Sequence, residues 1–216
     1  MLTGFKDKKY AIIGDVKDRP IPARLHRMIA DYSYECIPVK KSDLKMTLKD
    51  ESFDGFNLTY PLKSAVMPYL DETSETASRI GAVNTVVRRE DGTLYGENTD
   101  YIGFLALLDE NGISPEGKKV LVLGSGDTAK AVSAALCDRG ADDVVIISRT
   151  GDENYSSLDI HDDAAILVNT TPVGMAPDYT TSPVSLKYLE RLETVIDIVY
   201  DPFRTELMHL TINTSK

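Results

Sequence analysis

Two hydrophobic patterns alternate along this chain. Short runs of branched and aromatic residues predict buried strands, whereas hydrophobic residues recurring every three or four positions predict amphipathic helices. In the first half, the predicted strands are Tyr10–Ile13, Tyr34–Val39, Phe56–Thr59, Val83–Arg88 and Leu94–Glu97. The predicted helices there are Ala23–Tyr32, Pro61–Tyr69 and Glu72–Ile80.

A second set of elements follows a polar, turn-rich stretch at 114–119. The predicted helices are Tyr101–Glu110, 127–138 and 185–192, and the predicted strands are Val120–Leu123, Val144–Ser148, Ala165–Val168 and Val195–Val199. Strands that alternate with helices predict an α/β protein with parallel sheets. A boundary falls between residues 100 and 118, so we expect two α/β domains, 1–102 and 103–216.

Two segments lack the pattern of their surroundings. Gly151–Asp163 links two predicted parallel strands, yet it is acidic and shows no helical period, although such crossovers usually contain a helix. The chain ends at "TINTSK", which is polar and also shows no helical period. We therefore expect neither segment to form an α-helix.

Composition narrows the class of protein. The 216 residues are 42% hydrophobic and 27% charged, which is typical of a globular protein, and the formal net charge is −10. That excess of acidic residues argues against a nucleic-acid or anionic-membrane surface. Two distant cysteines, Cys36 and Cys137, indicate neither a disulfide framework nor a metal site. With no signal segment and no membrane-spanning run, we expect a cytoplasmic protein.

The stretch "VLVLGSGDTAKA" (120–131) is the strongest local motif. A predicted strand leads into Gly124, Ser125 and Gly126 and then into a helix that begins near Asp127 and Thr128. Backbone N–H groups at such a helix N-terminus can bind a pyrophosphate, and the glycines allow the tight turn and a close approach. A nucleotide site is the favoured interpretation, with a plain tight turn as the alternative.

The end of the next strand indicates which nucleotide would bind. Dinucleotide sites contact the adenosine ribose there, with an acidic residue for NAD or an Arg for the 2′-phosphate of NADP. Here Ser148, Arg149 and Thr150 end the strand, which favours NADP. Asp152 and Glu153 follow and oppose a second negative charge, so NAD stays an alternative. Arg149 as a solvated strand-end cation is a further one.

Three segments of the first half place polar residues at strand and helix ends. "NLTYPLK" (57–63) contains Thr59 and Lys63, "GAVNT" (81–85) contains Asn84, and "GENTD" (96–100) contains Asp100. Ligands of open α/β sheets bind at the carboxyl ends of the strands. A lysine near a helix N-terminus gains nothing from the helix dipole, which hints at a functional role. No histidine–carboxylate spacing suggests a metal, and His161 is expected at the surface.

In this order the motifs resemble those of the shikimate dehydrogenase family. The resemblance rests on "NLTYPLK", "GAVNT", "GENTDYIG", "GSGDTAKA", "SRT", "NTTPVGM" (169–175) and "DIVYDPFRTEL" (197–207). It implies an N-terminal domain that binds shikimate, a Rossmann domain for NADP, and an active site in the cleft between them. The implied reaction is the reversible reduction of 3-dehydroshikimate to shikimate, a step of chorismate and aromatic amino-acid biosynthesis.

Residue by residue, the resemblance assigns roles to both halves of the chain. Lys63 and Asp100 match the catalytic pair, and Thr59 and Asn84 match ligands of the substrate hydroxyls. The cofactor positions are Gly124, Ser125, Gly126, Asp127, Thr128, Ser148, Arg149, Thr150, Thr171 and Met175. Tyr200 matches a position that lines the cleft near the substrate.

The chain departs from the family pattern in the loop after the first strand. Two family serines that bind the substrate carboxylate fall at Pro20 and Pro22. Losing two hydrogen bonds to a charged group would cost about 3–6 kcal/mol. Arg19 or Lys17 could replace them, because a guanidinium can bind a carboxylate through two parallel bonds. Alternatively, the substrate is a different cyclic polyol.

The C-terminus is the second departure. The family continues through further helices that bring a substrate-binding Gln, whereas this chain ends at Lys216. Three hypotheses stay open: a dehydrogenase of shikimate or quinate, a dehydrogenase of another cyclic polyol, and a nucleotide-binding regulatory relative without activity. The partner is a small cyclic hydroxy acid in the first two. The assembly state is open, with a homodimer as one option.

Overall fold

The computed structural model describes residues 2–16, 20–189 and 191–214, with only the backbone at 20, 188 and 212–214. The chain divides into two compact units, Met1–Thr99 and Asp100–Lys216. Each unit has its own β-sheet and its own hydrophobic core, which confirms the predicted α/β class. Within the described ranges, none of the helices has the length and hydrophobicity needed to cross a membrane.

The first unit contains a six-stranded mixed sheet. Its elements are β1 (Lys9–Gly14), α1 (Pro20–Ile29), β2 (Ser33–Pro38), α2 (Leu44–Leu48), β3 (Gly55–Leu58), β4 (Glu72–Thr73), α3 (Glu75–Ile80), β5 (Thr85–Arg88) and β6 (Leu94–Glu97). The strand order is β2-β1-β3-β5-β6-β4. The expectation of a parallel sheet is correct for β2, β1 and β3 and for the pair of β4 and β6, whereas β5 is antiparallel to both β3 and β6.

The second unit contains a four-stranded sheet that is parallel throughout. Its elements are α4 (Thr99–Glu110), which begins at the last residue of the first unit, β7 (Lys119–Leu123), α5 (Asp127–Asp138), β8 (Asp143–Ile147), β9 (Ile166–Asn169), β10 (Thr194–Asp197) and α6 (Glu206–Thr214). The order is β10-β9-β7-β8. Buried side chains of β7 pack on α5 on one face and on Leu158 and Leu207 on the other.

The helix predicted over Pro61–Tyr69 is wrong. The structure has successive turns there, with a 3-10 turn only at Met67–Tyr69. The backbone carbonyl of Lys63 accepts a bond from the Val83 N–H, 2.8 Å away, rather than from a residue one helical turn ahead. This long-range bond replaces the helical one, and it ties the turn to the start of the Asn84 segment.

Other helix predictions near the C-terminus also fail. The segment 185–192 forms a 3-10 turn at Leu186–Tyr188 and no α-helix among its described residues. In contrast, α6 extends to Thr214 and includes most of the segment that we expected to be non-helical. Leu207 in its first turn is fully buried, which shows that packing on the second sheet stabilises a helix that lacks a clear sequence period.

The crossover at 151–163 contains no α-helix, as predicted. It forms turns and a 3-10 segment at Leu158–His161. Leu158 packs in the core, and His161 is also buried, so the expectation that His161 lies at the surface is wrong. Its Nε2 lies 3.4 Å from the Glu153 carboxylate. Bonds from Ser157 and His161 lower the pKa of Glu153.

Candidate active site

In each sheet, the chain adds a strand on one side of its first strand and then adds the next strand on the other side. From β1 the chain passes to β2 on one side and then to β3 on the other, and from β7 it passes to β8 and then to β9 in the same way. Ligands of open α/β sheets bind beside the carboxyl ends of the strands at such a switch point. The candidate residues lie at these two places, and each unit is described in turn.

The first switch point joins Gly14 at the end of β1 to Thr59 just after β3. Gly14 has a φ of +129°, and a Cβ there would lie 2.8 Å from the Thr59 carbonyl oxygen and 2.9 Å from that of Tyr60. Only glycine fits this conformation and this close approach. The Thr59 N–H donates to the Ile13 carbonyl at 2.9 Å, so the predicted ligand Thr59 is held at the carboxyl edge of the sheet.

Backbone bonds bring Lys63 and Asn84 to the same edge. The Leu58 N–H donates to the Asn84 carbonyl at 2.8 Å, and the Val83 N–H donates to the Lys63 carbonyl. Asn84 therefore lies beside the end of β3, and Lys63 is bonded to Val83, the residue directly before Asn84. Both Lys63 and Asn84 make interactions in addition to these bonds. The structure thus places three of the predicted residues, Thr59, Lys63 and Asn84, at one edge of one sheet.

The Asn84 side chain is buried and its orientation is defined by its neighbours. Its Oδ1 accepts bonds from the Thr99 N–H at 2.8 Å, the Thr99 Oγ1 at 3.1 Å and the Thr85 Oγ1 at 3.3 Å. Since a backbone N–H can only donate, the atom facing Thr99 is the amide oxygen. The NH₂ group therefore lies on the other branch of the side chain, where it can donate to an oxygen of a ligand.

A row of side chains outside the predicted ligand set supports this amide. The Tyr34 hydroxyl donates to Asn57 Oδ1 at 2.7 Å, and the Asn57 amide donates to Thr85 Oγ1 at 3.1 Å. The His26 ring stacks on the Tyr34 ring with centroids 3.7 Å apart, and His26 Nδ1 lies 2.6 Å from the Tyr32 hydroxyl. Burial raises the pKa of Tyr34 and lowers that of His26, so both are neutral at pH 7.

The structure gives less detail about the other predicted residues of the first half of the chain. Asp100 lies in the first turn of α4, directly after Thr99, and has interactions of its own. Lys17 and Arg19, the proposed carboxylate ligands, lie outside the described residues. Pro20 and Pro22 occupy the first turn of α1, where proline is favoured because the first N–H groups of a helix have no helical partner.

The second switch point joins the glycine-rich loop after β7 to the loop after β9. Gly124 has a φ of +105°, and a Cβ there would lie 2.9 Å from the Thr170 Oγ1 and 3.1 Å from the Thr171 methyl group. Gly126 differs, because its φ of −79° suits any residue and a Cβ there would meet no atom within 4 Å. Neither conformation nor packing demands glycine at 126. A ligand that approaches the backbone would account for it.

The loop leads directly into the N-terminus of α5. Ser125 is exposed, and Gly126 is the N-cap residue without a side-chain cap bond. Asp127, in the first turn, forms an ion pair with Lys130 at 2.9 Å. Both Asp127 and Thr128 have further interactions. A free helix N-terminus attracts anions, whereas the Asp127 carboxylate opposes them, so Asp127 is an unusual residue for a phosphate loop.

Ser148, Arg149 and Thr150 follow β8 at the neighbouring strand end. The Gly124 N–H donates to the Ile147 carbonyl at 2.8 Å, which fixes the start of this segment beside the glycine-rich loop. Ser148 is buried and its Oγ has no hydrogen-bond partner, while Arg149 and Thr150 are exposed. The pKa of Tyr155 is raised by burial, and the positive charge of Arg149 partly opposes that rise.

Thr171, Met175 and Tyr200 belong to the loops after β9 and β10. The N–H and Oγ1 of Thr171 donate to Asn169 Oδ1 at 3.0 and 2.7 Å, and Met175 lies in the turn that follows. Tyr200 is 57% exposed and follows the last strand of the sheet. The roles predicted for these residues, like those of the other site residues, stay predictions.

A polar cluster at the base of these loops, with two buried members and one half-buried carboxylate, was missed by the sequence analysis. It consists of Asn169, Asp197 and Thr205. Two of its members end the strands β9 and β10, and a polar residue at a strand end was the available signal. Among the described residues, no group of three or more His, Cys, Asp or Glu side chains is arranged to hold a metal ion.

Two comparisons of the sequence with known proteins show which family it is related to. Residues 23–86 match the model of the shikimate dehydrogenase substrate binding domain. The chain is 33% identical over 226 residues to the shikimate dehydrogenase (NADP(+)) of Clostridium beijerinckii, covering 96% of this chain and 83% of that protein.

Two solved structures extend this likeness to the fold. Shikimate dehydrogenase 1 from Peptoclostridium difficile matches with a TM-score of 0.89 and 30% identity, over 97% of this chain and 84% of that one. The Thermus thermophilus shikimate 5-dehydrogenase, solved with NADP(H) and shikimate, matches with a TM-score of 0.77 and 32% identity, over 95% and 84%. The chain therefore belongs to the shikimate dehydrogenase family.

Proposed function

We propose that this protein is an NADP-dependent shikimate dehydrogenase, which reversibly reduces 3-dehydroshikimate to shikimate. Membership of the family supports the reaction class. The single observation that carries the proposal to this chain's residues is the Asn84 amide, whose oxygen accepts three bonds within the protein. In the proposed complex its NH₂ group donates to a substrate hydroxyl, and backbone bonds hold Asn84 at the same sheet edge as Thr59 and Lys63.

Four residues divide the proposed work on the substrate, three from the first unit and Asp100 from the start of the second. Reducing a ring ketone to an alcohol adds a hydride to carbon and a proton to oxygen, and bound NADPH supplies the hydride. Lys63 donates the proton to the oxygen in that direction and accepts it in the reverse direction. Asp100 orients the Lys63 ammonium group. Thr59 and Asn84 bind ring hydroxyls and so hold the reacting carbon in place.

The residues of the second unit suit a dinucleotide. The backbone of Gly124–Gly126 and the N-terminus of α5 would bind the pyrophosphate, and the open space at Gly126 fits that approach. Arg149 would bind the 2′-phosphate, with Ser148 and Thr150 on the same segment. Ser125 belongs to this loop, and Asp127 and Thr128 follow it in the first turn of α5. Thr171 and Met175 would lie toward the nicotinamide end. NAD is the alternative, because Asp152 and Glu153 add negative charge nearby.

A second candidate is a dehydrogenase of another cyclic polyol. The observation that favours it is the first turn of α1, where Pro20 and Pro22 occupy the positions of the two carboxylate-binding serines. Proline has no hydroxyl to donate. Unless Arg19 or Lys17 binds the carboxylate, a substrate without that group would bind equally well.

The first experiment measures reduced cofactor formation with shikimate, quinate and a cyclitol that lacks the carboxylate, each with NADP and with NAD. We expect the highest kcat/KM with shikimate and NADP. A preference for the uncharged cyclitol would support the second candidate. Binding of NADPH without turnover of any compound would overturn both and indicate a regulatory protein.

Two variants connect this assay to the residues. Lys63→Ala should lower kcat by about 10²–10⁴-fold, the usual contribution of a general acid. Lys45→Ala, an exposed lysine on α2 of the same unit, is the matched control and should retain activity. Arg19→Ala should raise KM for shikimate. If KM stays the same, Arg19 is not the carboxylate ligand.

Cellular location and assembly complete the proposal. We propose a cytoplasmic enzyme, because its two cysteines are not joined in a disulfide bond and disulfide bonds are typical of oxidising compartments. For the assembly we propose a homodimer, which light scattering of the purified protein would test through the measured mass.

A further inference from the structure

The loops after β9 and β10 are connected by side chains at the two strand ends. Asn169 and Asp197 are paired neighbours in the parallel sheet and are the last residues of their strands. The Asn169 amide donates to Asp197 Oδ1 at 2.9 Å. Asn169 is fully buried and Asp197 is half-buried, so this bond lies partly shielded from solvent at the base of both loops.

Asp197 accepts two more hydrogen bonds from the segment that follows β10. The Val199 N–H donates to Oδ1 at 3.0 Å, and the Thr205 hydroxyl donates to Oδ2 at 2.6 Å. Thr205 is only 1% exposed and precedes α6, where its Oγ1 also accepts the Met208 N–H at 3.4 Å. One carboxylate therefore connects β9, the loop 198–204 and the start of α6.

The residues that donate to Asp197 also bond to, pack near or directly precede the candidate residues of the two loops. Asn169 uses its Oδ1 to accept both bonds from Thr171, and Val199 directly precedes Tyr200. Thr205 lies against Gly174, whose φ is +90°, because a Cβ at Gly174 would be 3.6 Å from the Thr205 methyl group. Met175 follows Gly174 directly.

We propose that Asp197 is a positioning residue, which through Asn169 and Thr205 sets the loops that contact the nicotinamide half of the cofactor. This proposal rests on the proposed function, because that function assigns Thr171 and Met175 to the nicotinamide end. Hydrogen bonds to a charged acceptor are stronger and more directional than neutral ones, so they hold a loop in one arrangement. The segment assigned to the 2′-phosphate, Ser148–Thr150, follows a different strand.

The test removes one donor without changing the shape of the side chain. Thr205→Val keeps the methyl group beside Gly174 and deletes the hydroxyl, whereas Thr205→Ser keeps the hydroxyl. Thr211→Val is the matched control, because it deletes a threonine hydroxyl within α6, one that donates to the Met208 carbonyl and not to Asp197. Circular dichroism and thermal melting of each variant check that it is folded.

Two binding measurements separate the halves of the cofactor. The Kd of NADPH is measured by its own fluorescence, which is simple in a chain without tryptophan, and that of 2′,5′-ADP by displacement. We expect Thr205→Val to raise the Kd of NADPH about tenfold and leave that of 2′,5′-ADP within twofold. The kcat should fall, and the primary deuterium isotope effect with shikimate labelled at the reacting carbon should rise.

The possible results give distinct conclusions. Recovery in Thr205→Ser together with parent-like values in Thr211→Val would support the proposal. Equal losses of NADPH and 2′,5′-ADP binding would show a general structural role and overturn it, as would unchanged values in Thr205→Val. If the unaltered protein binds NADPH but does not turn over shikimate, the substrate assignment fails while the positioning role is still decided by the two Kd values. If it binds neither ligand, both proposals fail.

Discussion

The two sheets have the same switch-point arrangement but hold it in different ways. At each point a glycine with positive φ lies at a strand end and packs against threonine: Gly14, the last residue of β1, against Thr59, and Gly124, directly after β7, against Thr170 and Thr171. In the first sheet, however, two of the three nearest atoms are backbone carbonyl oxygens, beside the Thr59 methyl carbon. In the second the two nearest are side-chain atoms, the Thr170 hydroxyl oxygen and the Thr171 methyl carbon.

The side chains around the two points also differ in charge. In the first unit, neutral hydroxyl and amide groups follow one another from Tyr34 through Asn57 and Thr85 to Asn84. In the second unit, the Asp197 carboxylate accepts three bonds at the strand ends. Neutral bonds contribute about 0.5–1.5 kcal/mol each and bonds to a charge about 1.5–3 kcal/mol. We infer that several neutral groups together stabilise the first edge, whereas a single carboxylate stabilises the second.

The close backbone oxygens at Gly14 lead us to expect the largest effect, a loss of stability. Gly14→Ala should lower the free energy of unfolding by about 2–4 kcal/mol, because positive φ costs about 1–2 kcal/mol and overpacking adds a similar amount. Gly124→Ala should cost less, since the nearest backbone atom to a Cβ there is 3.6 Å away, whereas at Gly14 two backbone oxygens lie within 2.9 Å. Urea denaturation followed by circular dichroism measures both values.

A third glycine separates conformation from contact. Gly92 also has positive φ, but a Cβ there would meet no atom within 4 Å. Gly92→Ala should therefore show only the conformational cost. If Gly14→Ala is no worse than Gly92→Ala, the close approach at the first switch point does not matter for stability.

The next largest effect concerns the donor that Asn84 offers. Asn84→Asp keeps an oxygen for Thr99 and Thr85 but replaces the NH₂ group by a second oxygen, which cannot donate to a substrate hydroxyl. We expect kcat/KM for shikimate to fall about 10–100-fold. The Kd of NADPH should stay unchanged, because the cofactor residues belong to the second unit.

Two results would contradict this interpretation of Asn84. An unchanged kcat/KM would show that the NH₂ group makes no contact with the substrate in the reaction. Equal losses of stability and activity would show that Asn84 only supports the edge. Thermal melting of Asn84→Asp beside the parent protein distinguishes these cases.

A smaller effect is expected further along the neutral row. Tyr34→Phe deletes the bond to Asn57 and leaves the ring stacked on His26. The unfolding free energy should fall by about 1 kcal/mol, and KM for shikimate should change less than threefold. A change in KM as large as that of Asn84→Asp would show that the row acts as one unit, and our comparison with the second edge would then be wrong.

Elements determined by neighbouring residues were predicted well from the sequence. The strands β1, β3 and β7 and the helix α5 follow from local hydrophobic period, and the glycine-rich loop follows from its position between strand and helix. Thr59 and Gly124 were placed correctly at strand ends for the same reason.

Features that depend on distant partners were not predictable in this way. The turn at 61–66 forms because the Lys63 carbonyl bonds to Val83, and α6 is stabilised by the burial of Leu207. The orientation of Asn84 is set by the Thr99 N–H fifteen residues later. The importance of Asp197 emerges only once β9 and β10 are known to be neighbours.

The smallest predicted effect tests another carboxylate at the second edge. Asp127 has the same charge as Asp197 but lies at the N-terminus of α5, where it pairs with Lys130 and its side chain is 20% exposed. Asp127→Asn should tighten the binding of NADPH by about two- to fivefold, because a carboxylate there competes with the pyrophosphate for the helix N-terminus. Asp138→Asn, at the opposite end of the same helix, removes an equal charge as the control and should leave the Kd unchanged. Raising the salt concentration should reduce the gain, since solvent-exposed charges are screened. Weaker binding in Asp127→Asn would instead show that this carboxylate contacts the cofactor favourably, and the second edge would then depend on two carboxylates rather than one.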